Sequence, residues 1–584
     1  MPARGTVNQR LAKVTAAFNQ DCYDVTRHEV KDDALGILAE HRTAKNQATG
    51  KPKKAFYVDG NPRQSGYLIG VLAKEDVCRM ATEFVDHFIF DFIGMLEAGE
   101  EGIGRLIQER LVHIIRVQTQ SMIPDIPTEY MEEIDGLVEG AGMREVNREN
   151  LVALNFGVDC ALAHLYSGTW FEENNVKPRM LRIPSACNTF FLTEKAAGSR
   201  HFFGRDYMFP TAGVFQDTAC ITVYNPESPR RAHVSQGAPG LIGSMVAMNT
   251  DGVAVGVDVL AGRMCNAERP GFNSLALNRH VAQYSGSADE AVGHIADAQR
   301  GVCWLYPVAD ARGKAYAVEA GCKIGPDQPF PYLEYVPRYL KRLLPKPPFI
   351  ERMRRLYRTP EPDRGIIARP IDYRYPVKYL KWNRRLWKAW NRNWLQRILD
   401  FFMAVVTGKN SWKEFVAEVG VLFRDLTYSR EYFTEKGYIN QKRDEHNCPG
   451  PFFFAPQRES RADTMLVCNT CITPEMRLTA MNSWVATISN NMQNDFQWRY
   501  DELNREILDA VAASPGGVEE PVAWNLINFL RPDGSFPDYY PRDAQGRILV
   551  HGSVTLCELG SRSMKSLFGY YGDEPVSIKL MNYV

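Results

Sequence analysis

The sequence of 584 residues lacks several features that would assign it to a familiar class. No stretch approaches eighteen uninterrupted apolar residues, so we expect no transmembrane helix. The N-terminal residues are polar and no apolar run follows them, which argues against a secretory signal. The chain contains no Asn-x-Ser/Thr sequon, no Walker loop, no dinucleotide-binding glycine fingerprint and no HExxH motif. We therefore predict no metal and no cofactor.

Charge of either sign is not in excess, because 69 Lys and Arg residues balance 69 Asp and Glu residues. The net charge therefore gives no indication of a nucleic-acid partner. Twelve cysteines are spread through the chain, which is typical of reduced thiols rather than of a disulfide framework. Together these absences predict a soluble protein of the cytoplasm.

Cys187 begins a short apolar, β-prone segment that ends before Gly198. A second apolar segment follows and leads into Arg205 and Asp206. Two such segments around a glycine-containing loop predict a β-hairpin, in which Arg205 lies beside Cys187. A guanidinium next to a thiol lowers the pKa of the thiol and makes it a better nucleophile. The alternative for Cys187, taken alone, is an ordinary buried cysteine of a core strand.

The periodicity of the apolar residues changes at Cys187 from helical to alternating. Helices and antiparallel hairpins that alternate in this way predict an α+β layered sandwich. We expect four regions: a mainly helical segment 1–186, a nucleophile-bearing β-sheet region 187–330, a basic helical insertion 331–450, and a second part of the core 451–584.

The insertion is unusual in charge and in tryptophan content. Residues 338–397 contain eighteen Lys or Arg and four Asp or Glu, a local charge of +14, and Trp and other apolar residues recur at roughly helical spacing as far as Val405. One interpretation is a helical cap whose apolar stripe packs on the body of the protein. The other is that residues 338–406 bind an anionic lipid surface or an acidic ligand such as a phosphorylated acyl carrier.

Small residues precede Cys187, which would give room for a reaction at the preceding peptide bond. If the chain is cut between Ala186 and Cys187, Cys187 gains a free α-amine with a pKa of about 8. Such an amine can act as the base for its own thiol. Asp206 could then orient either the amine or Arg205.

A tetrahedral intermediate needs hydrogen-bond donors, and an Asn side chain at the end of a strand is a suitable one. Asn249, next to the Asp-Gly turn at residues 251–252, is the first candidate, and Asn469 is the second. Both asparagines have an alternative interpretation as ordinary turn residues.

The order of the motifs resembles the acyl-CoA:6-aminopenicillanic acid acyltransferase (isopenicillin-N acyltransferase-like) family of N-terminal-nucleophile hydrolases, and more distantly the bile salt hydrolases and ceramidases. The motifs follow one another in the family order and cover most of the chain outside 1–50 and 325–450. They lie at Gly66–Gly70, Glu133–Gly140, Asn155 with Asp159, Cys187–Thr189, Gly204–Asp206, Met248–Ala254, Asn469 with Thr473–Arg477, Arg499 and Ser553–Thr555.

The resemblance implies a four-layer αββα sandwich and autocatalytic cleavage before Cys187. It makes Cys187 the nucleophile, Arg205 its electrostatic partner, and Asn249 and Asn469 the residues that hold an oxyanion or an amine. The sequence departs from the family pattern at Met208, where an Asp is common, and in the basic insertion. Arg499 is carried over as a substrate-binding or structural residue.

The predicted function is therefore a self-processing amidohydrolase or acyltransferase. It would act on an acyl amide or an acyl thioester through an acyl-enzyme on Cys187, with a small-molecule acyl substrate such as an acyl-CoA or a lipid. One alternative is a phospholipase B-like or ceramidase-like lipid hydrolase at a membrane surface. Another is a non-enzymatic membrane-binding protein on the same scaffold.

Overall fold

The structure is a computed structural model. It describes residues 5–88, 101–167, 187–209, 211–260, 262, 264–325, 364–373, 394–408, 411–413, 415–416, 463–469, 471–473, 476, 496–527, 545–546 and 549–584.

The described helices lie before, between and after the strands in sequence. They are α1 (Val7–Gln20), α2 (Pro62–Leu72), α3 (Lys74–Arg79), α4 (Glu101–Arg116), α5 (Thr128–Ala141), α6 (Arg148–Ser167), α7 (Glu194–Ala197), α8 (Phe215–Thr218), α9 (Ser274–Tyr284), α10 (Ala288–Asp297), α11 (Trp394–Val406), α12 (Phe496–Ala513) and α13 (Glu520–Ile527). A π-helical turn, Met80–Phe84, continues α3, and 3₁₀ turns lie at Gln118–Asp125 and Leu580–Asn582.

The described strands form two sheets, of eleven and six strands. In chain order they are β1 (Tyr23–Lys31), β2 (Ala34–Lys45), β3 (Pro52–Gly60), β4 (Asn188–Leu192), β5 (Phe202–Met208), β6 (Cys220–Pro226), β7 (His233–Gly237), β8 (Val246–Asn249), β9 (Ala254–Gly256), β10 (Asp258–Val259), β11 (Trp304–Ala309), β12 (Ala315–Ala320), β13 (Ile366–Pro370), β14 (Thr464–Cys468), β15 (Leu549–Glu558), β16 (Ser563–Tyr570) and β17 (Val576–Lys579).

The larger sheet has the order β1-β2-β3-β6-β7-β8-β9-β11-β12-β13, with β10 pairing to β11, and the smaller has the order β14-β4-β5-β15-β16-β17. Neighbouring strands are antiparallel except for β3 and β6. Helices α2, α9 and α10 pack on the larger sheet, and α12 and α13 pack on the smaller one. The two sheets face each other, as the hydrogen bond of 2.8 Å from Arg369 Nη2 on β13 to Leu466 O on β14 shows. The predicted αββα sandwich is thus confirmed.

The hairpin predicted around Cys187 is present. Strands β4 and β5 pair antiparallel, with Thr189 opposite Arg205, and helix α7 fills the connection between them. The connection turns at Gly198, whose φ of 60° lies in the left-handed region that glycine adopts readily. Side chains alternate along a strand, so Cys187, Thr189 and Arg205 point to the same face of the sheet.

Two regions differ from the predicted organisation. Residues 23–60, inside the segment predicted to be mainly helical, form β1, β2 and β3 of the larger sheet. Strand β2 is buried on both faces for much of its length, so it lacks the alternation by which a strand is recognised in sequence. Residues 366–370, inside the predicted helical insertion, form the edge strand β13.

Helix α11 lies in the predicted insertion. Four of its large apolar side chains are 41–62% exposed, namely Leu399, Phe402, Met403 and Val406. No helix among the described residues is long and apolar enough to cross a membrane. The binding of a lipid surface by residues 338–406 stays a prediction, and most of residues 331–450 lie outside the described part.

Helices α2 and α5 cross with their backbones in contact, through glycines of the two motifs Gly66–Gly70 and Glu133–Gly140. A Cβ atom at Gly66 would lie 2.0 Å from Glu133 O, and one at Gly136 would lie 2.1 Å from Arg63 O. Neither helix can therefore carry a side chain at the crossing. The two sequence motifs are the two sides of one helix–helix contact.

We expect Gly136→Ala to lower the free energy of unfolding by about 1–3 kcal/mol or more, because the added methyl group forces the two backbones apart. Gly516→Ala is the control, since a Cβ there meets no atom within 4 Å. Urea denaturation of the two variants beside the wild type measures the difference. An equal, small change in both variants would contradict the close crossing.

Candidate functional site

Cys187 lies directly before β4 and is buried, with 1% of its surface exposed. Its Sγ lies 3.5 Å from Met208 O, to which it donates, and the Met208 N–H points to Sγ at 3.4 Å. The thiol is therefore held against the end of β5 by main-chain contacts. Ala186, on the other side of the predicted cleavage bond, lies outside the described residues.

The thiol of Cys187 is not activated in the uncleaved chain. Its pKa is raised to about 11, first by burial and then by the nearby Asp258 carboxylate, while the Arg205 guanidinium lowers it only in part. This differs from the expectation that Arg205 would lower the pKa below that of a free cysteine. The physical reason is first the burial of the thiol, and second the Asp258 carboxylate, which opposes the effect of Arg205 on the pKa.

Arg205 and Asp258 form a fully buried ion pair between the two sheets. Arg205 Nη1 donates to Asp258 Oδ1 and also, at 2.8 Å, to Thr189 Oγ1. The guanidinium lies over the Tyr207 ring, with its carbon 4.8 Å from the ring centroid. The facing residue of the larger sheet is Gly256, where a Cβ would lie 2.6 Å from Arg205 Cδ. The absence of a side chain there makes room for the arginine.

Asp258 is the carboxylate that pairs with Arg205, although Asp206 was the acidic residue predicted from the sequence to orient Arg205 or the amine. Asp206 follows Arg205 directly on β5 and so points to the opposite face of the sheet, the face shared with Asn188. The carboxylate that pairs with Arg205 comes instead from β10 of the other sheet. The sequence feature that could have identified Asp258 is its position in a short apolar segment, two residues after Gly256 and close behind the Asp-Gly hairpin.

Asn469 is brought to Cys187 by the strand pairing. Cys468 on β14 lies opposite Asn188, and one further step in this register places Asn469 opposite Cys187. The Asn469 side chain is buried, and its Nδ2 donates to Val259 O at 2.8 Å. Asn469 therefore faces the larger sheet on the same side as the thiol.

Asn249 has a different role from the one predicted. Its Nδ2 donates to Ala282 O at 2.9 Å and to Ser285 O at 2.7 Å, while its Oδ1 accepts from the N–H groups of Asp251 and Val253, both at 3.0 Å. Both amide hydrogens are thus already used to hold a turn against α9. In this arrangement Asn249 has no donor for an oxyanion, and the turn interpretation describes it.

Arg499 lies in helix α12, and its side chain is outside the described residues.

Cys187 lines a pocket with a cavity volume of about 100 Å³. The walls are mainly apolar and come from the turn after α3, from α6, from the end of β5 and from the segment before β8. They include Phe84, Phe88, Leu154, Leu162, Phe209 and Leu241. Such a cavity fits a small apolar group next to the thiol.

Asp159 of α6 supplies a carboxyl group to the same pocket. Its Oδ2 accepts from Ser274 Oγ and its Oδ1 from Trp304 Nε1, both at 2.9 Å. Burial raises the pKa of Asp159 to about 7, and the two hydrogen bonds offset this only in part.

The neighbouring Asn155 is structural, because its Oδ1 accepts from Ile242 N and its Nδ2 donates to Leu151 O and Gly240 O.

Comparison with known proteins supports the predicted family. The model of the acyl-coenzyme A:6-aminopenicillanic acid acyl-transferase family matches residues 198–323. This range contains Arg205, Gly256 and Asp258. The resemblance drawn from the order of the motifs is confirmed over this part of the chain.

Two further proteins are similar to the chain. An uncharacterized protein of Archaeoglobus fulgidus is 23% identical over 534 residues, which are 90% of this chain and 65% of that protein, so the chain spans less than two thirds of its relative. The conjugated bile acid hydrolase of Clostridium perfringens, in a mutant form, aligns with 68% of this chain and 92% of its own at 10% identity and a TM-score of 0.31.

We expect Asp258→Ala to lower the free energy of unfolding by about 3–5 kcal/mol, because it leaves the Arg205 guanidinium buried without a countercharge. The double variant Arg205→Met/Asp258→Ala should recover part of this loss, since no charge is then buried. Asp251→Ala is the control, because it breaks the half-exposed ion pair with Arg231 and should cost about 0–1 kcal/mol. If the loss in the double variant equals the sum of the losses in Asp258→Ala and in Arg205→Met, the two buried side chains do not interact.

Asp159→Asn should raise stability at high pH and not at low pH. The folded-state pKa of about 7 lies above the ordinary aspartate pKa of 3.8, so the folded chain binds more protons than the unfolded chain between these values. The contribution of Asp159 is therefore most favourable below about pH 4 and is lost as the pH rises through 7. An asparagine at this position can still accept the hydrogen bond from Trp304 Nε1, and its amide group can donate one to Ser274 Oγ. Thermal unfolding should show the free energy of unfolding of the variant gaining on that of the wild type by roughly 4 kcal/mol from pH 4 to pH 8, whereas parallel curves would refute the buried charge.

Proposed function

We propose that the protein is an amidohydrolase or acyltransferase of the N-terminal-nucleophile type that acts on an acyl amide or an acyl thioester, with Cys187 as the nucleophile. The observation that carries the proposal is the position of Cys187. It begins a strand beside the Arg205–Asp258 pair, lines an apolar pocket, and belongs to a chain that matches the acyltransferase family over residues 198–323. The family match supports the reaction class, and the pocket supports an apolar acyl group.

Self-processing would supply the base that the intact site lacks. The pKa of about 11 keeps the thiol protonated near neutral pH, and no histidine is among the described residues that line the pocket. In the first step the thiol adds to the carbonyl carbon of residue 186, the C–N bond breaks as the nitrogen takes a proton, and a thioester forms. Water then cleaves the thioester and leaves Cys187 with a free α-amine.

The same chemistry would then act on the substrate. The α-amine takes the proton of the thiol, and the thiolate adds to the acyl carbonyl. The amine or thiol of the substrate leaves with a proton, and the acyl-enzyme passes its acyl group to water or to an acceptor amine. Asn469 would hold the α-amine or the oxyanion, and its position opposite Cys187 in the strand register supports this role. Arg205 keeps Thr189 and Tyr207 in position around the thiol.

The experiment that tests the proposal is the intact mass and N-terminal sequence of the purified protein. Scaling 66.2 kDa by 186/584 and by 398/584 gives fragments of about 21 and 45 kDa. We expect the wild type to give both fragments, with Cys187 as the new N-terminus, and Cys187→Ala to stay whole. Cys557→Ala, which changes a buried cysteine elsewhere in the smaller sheet, is the control and should be processed.

Turnover of acyl 4-nitroanilides and acyl thioesters by the processed protein completes the test. Hydrolysis that depends on Cys187 would support the proposal. Turnover retained in Cys187→Ala would exclude Cys187 as the nucleophile. A folded wild type that stays whole would remove the α-amine from the mechanism.

A further inference from the structure

Asp159 is a buried carboxyl group for which the described residues provide no countercharge. It is 1% exposed, and its partners are the neutral donors Ser274 Oγ and Trp304 Nε1. The buried Glu133 and Asp258, in contrast, pair with Arg279 and Arg205. A buried carboxylate is costly unless a cation compensates it. Arg279 and Arg205 thus compensate the charges of Glu133 and Asp258, whereas the hydrogen-bond partners of Asp159 are neutral side-chain donors.

The hydrogen bonds of Asp159 leave capacity for a ligand. An ionised carboxylate offers about four lone-pair sites, and each oxygen of Asp159 uses one of its sites for a protein donor. Asp159 therefore retains lone pairs that can accept further hydrogen bonds. It lines the pocket, and the other walls of the pocket are mainly apolar. A polar group of a ligand that enters this pocket would find few other partners.

The carboxyl group and the thiol share the pocket. Cys187 and Asp159 both line it, and Tyr207, which also lines it, interacts electrostatically with each of them. The two side chains therefore line one cavity, with a volume of about 100 Å³. A ligand whose carbonyl lies at Cys187 would therefore place the far end of its acyl group towards Asp159.

We infer that Asp159 is a specificity-determining residue that binds a protonated amino group on the acyl part of the substrate. The substrate class is then a small amino-acyl amide or amino-acyl thioester. This inference rests on the proposed function for the position of the acyl carbonyl. An ammonium group supplies the missing positive charge and donates hydrogen bonds to the free lone pairs of the carboxylate. A methyl group of the same size offers neither a positive charge nor a hydrogen-bond donor, so the carboxylate stays buried without a countercharge.

The test uses pairs of acyl 4-nitroanilides that differ only in an ammonium or a methyl terminus. The pairs are glycyl and propionyl, β-alanyl and butyryl, and 4-aminobutyryl and pentanoyl. At pH 8 we expect the wild type to prefer the ammonium member of at least one pair by about ten-fold or more in kcat/KM. Asp159→Asn should remove this preference. The variant should still turn over the methyl members, which shows that it is folded and active.

A binding measurement separates failure of this inference from failure of the proposed function. Calorimetric titration of the full-length Cys187→Ala protein with n-butylammonium and with n-butanol requires no turnover. Tighter binding of n-butylammonium that is lost on adding Asp159→Asn supports the inference even if no anilide is hydrolysed. Equal affinity for the two probes, or a preference that Asp159→Asn leaves intact, overturns it. Equal kcat/KM within every anilide pair of an active wild type also overturns it.

Discussion

The buried ion pair between Arg205 and Asp258 is the constraint on which the site depends. A guanidinium and a carboxylate without access to water are tolerated only if they neutralise each other, and here they come from opposite sheets. The pair therefore fixes how the two sheets face each other at the hairpin that begins with Cys187. Gly256 provides the space for the pair, and Thr189 accepts the hydrogen bond that sets the angle of the guanidinium.

The same pairing decides the chemical state of the thiol. Burial of Cys187 and the Asp258 carboxylate both raise the pKa of the thiol and together outweigh the effect of Arg205, so the thiol stays protonated. The features that make a stable inter-sheet core thus oppose those that make a reactive cysteine. Under the proposed function, cleavage of the folded chain creates the α-amine of Cys187. This amine then supplies the base that the buried thiol lacks in the intact chain.

The helical layer over the larger sheet has a role in the site as well as in the core. Helix α6 carries Asp159 into the pocket, helix α9 begins with its partner Ser274, and β11 begins with its other partner, Trp304. Three elements distant in sequence thus meet at one carboxyl group. The cost of burying a charge at such a junction is the physical reason to look for a ligand that neutralises it.

The sequence by itself determined the features that depend on neighbours along the chain. Apolar alternation around a short loop predicted the hairpin that places Arg205 near Cys187, and the order of the motifs predicted the family and the sandwich. Only the tertiary structure decided the partners across the layers. Asp258 has no periodic signature that links it to Arg205, and Asn249 has the same residue type whether it caps a turn or holds an oxyanion. Ion pairing and burial act through space, so they become visible only once the two sheets are packed together.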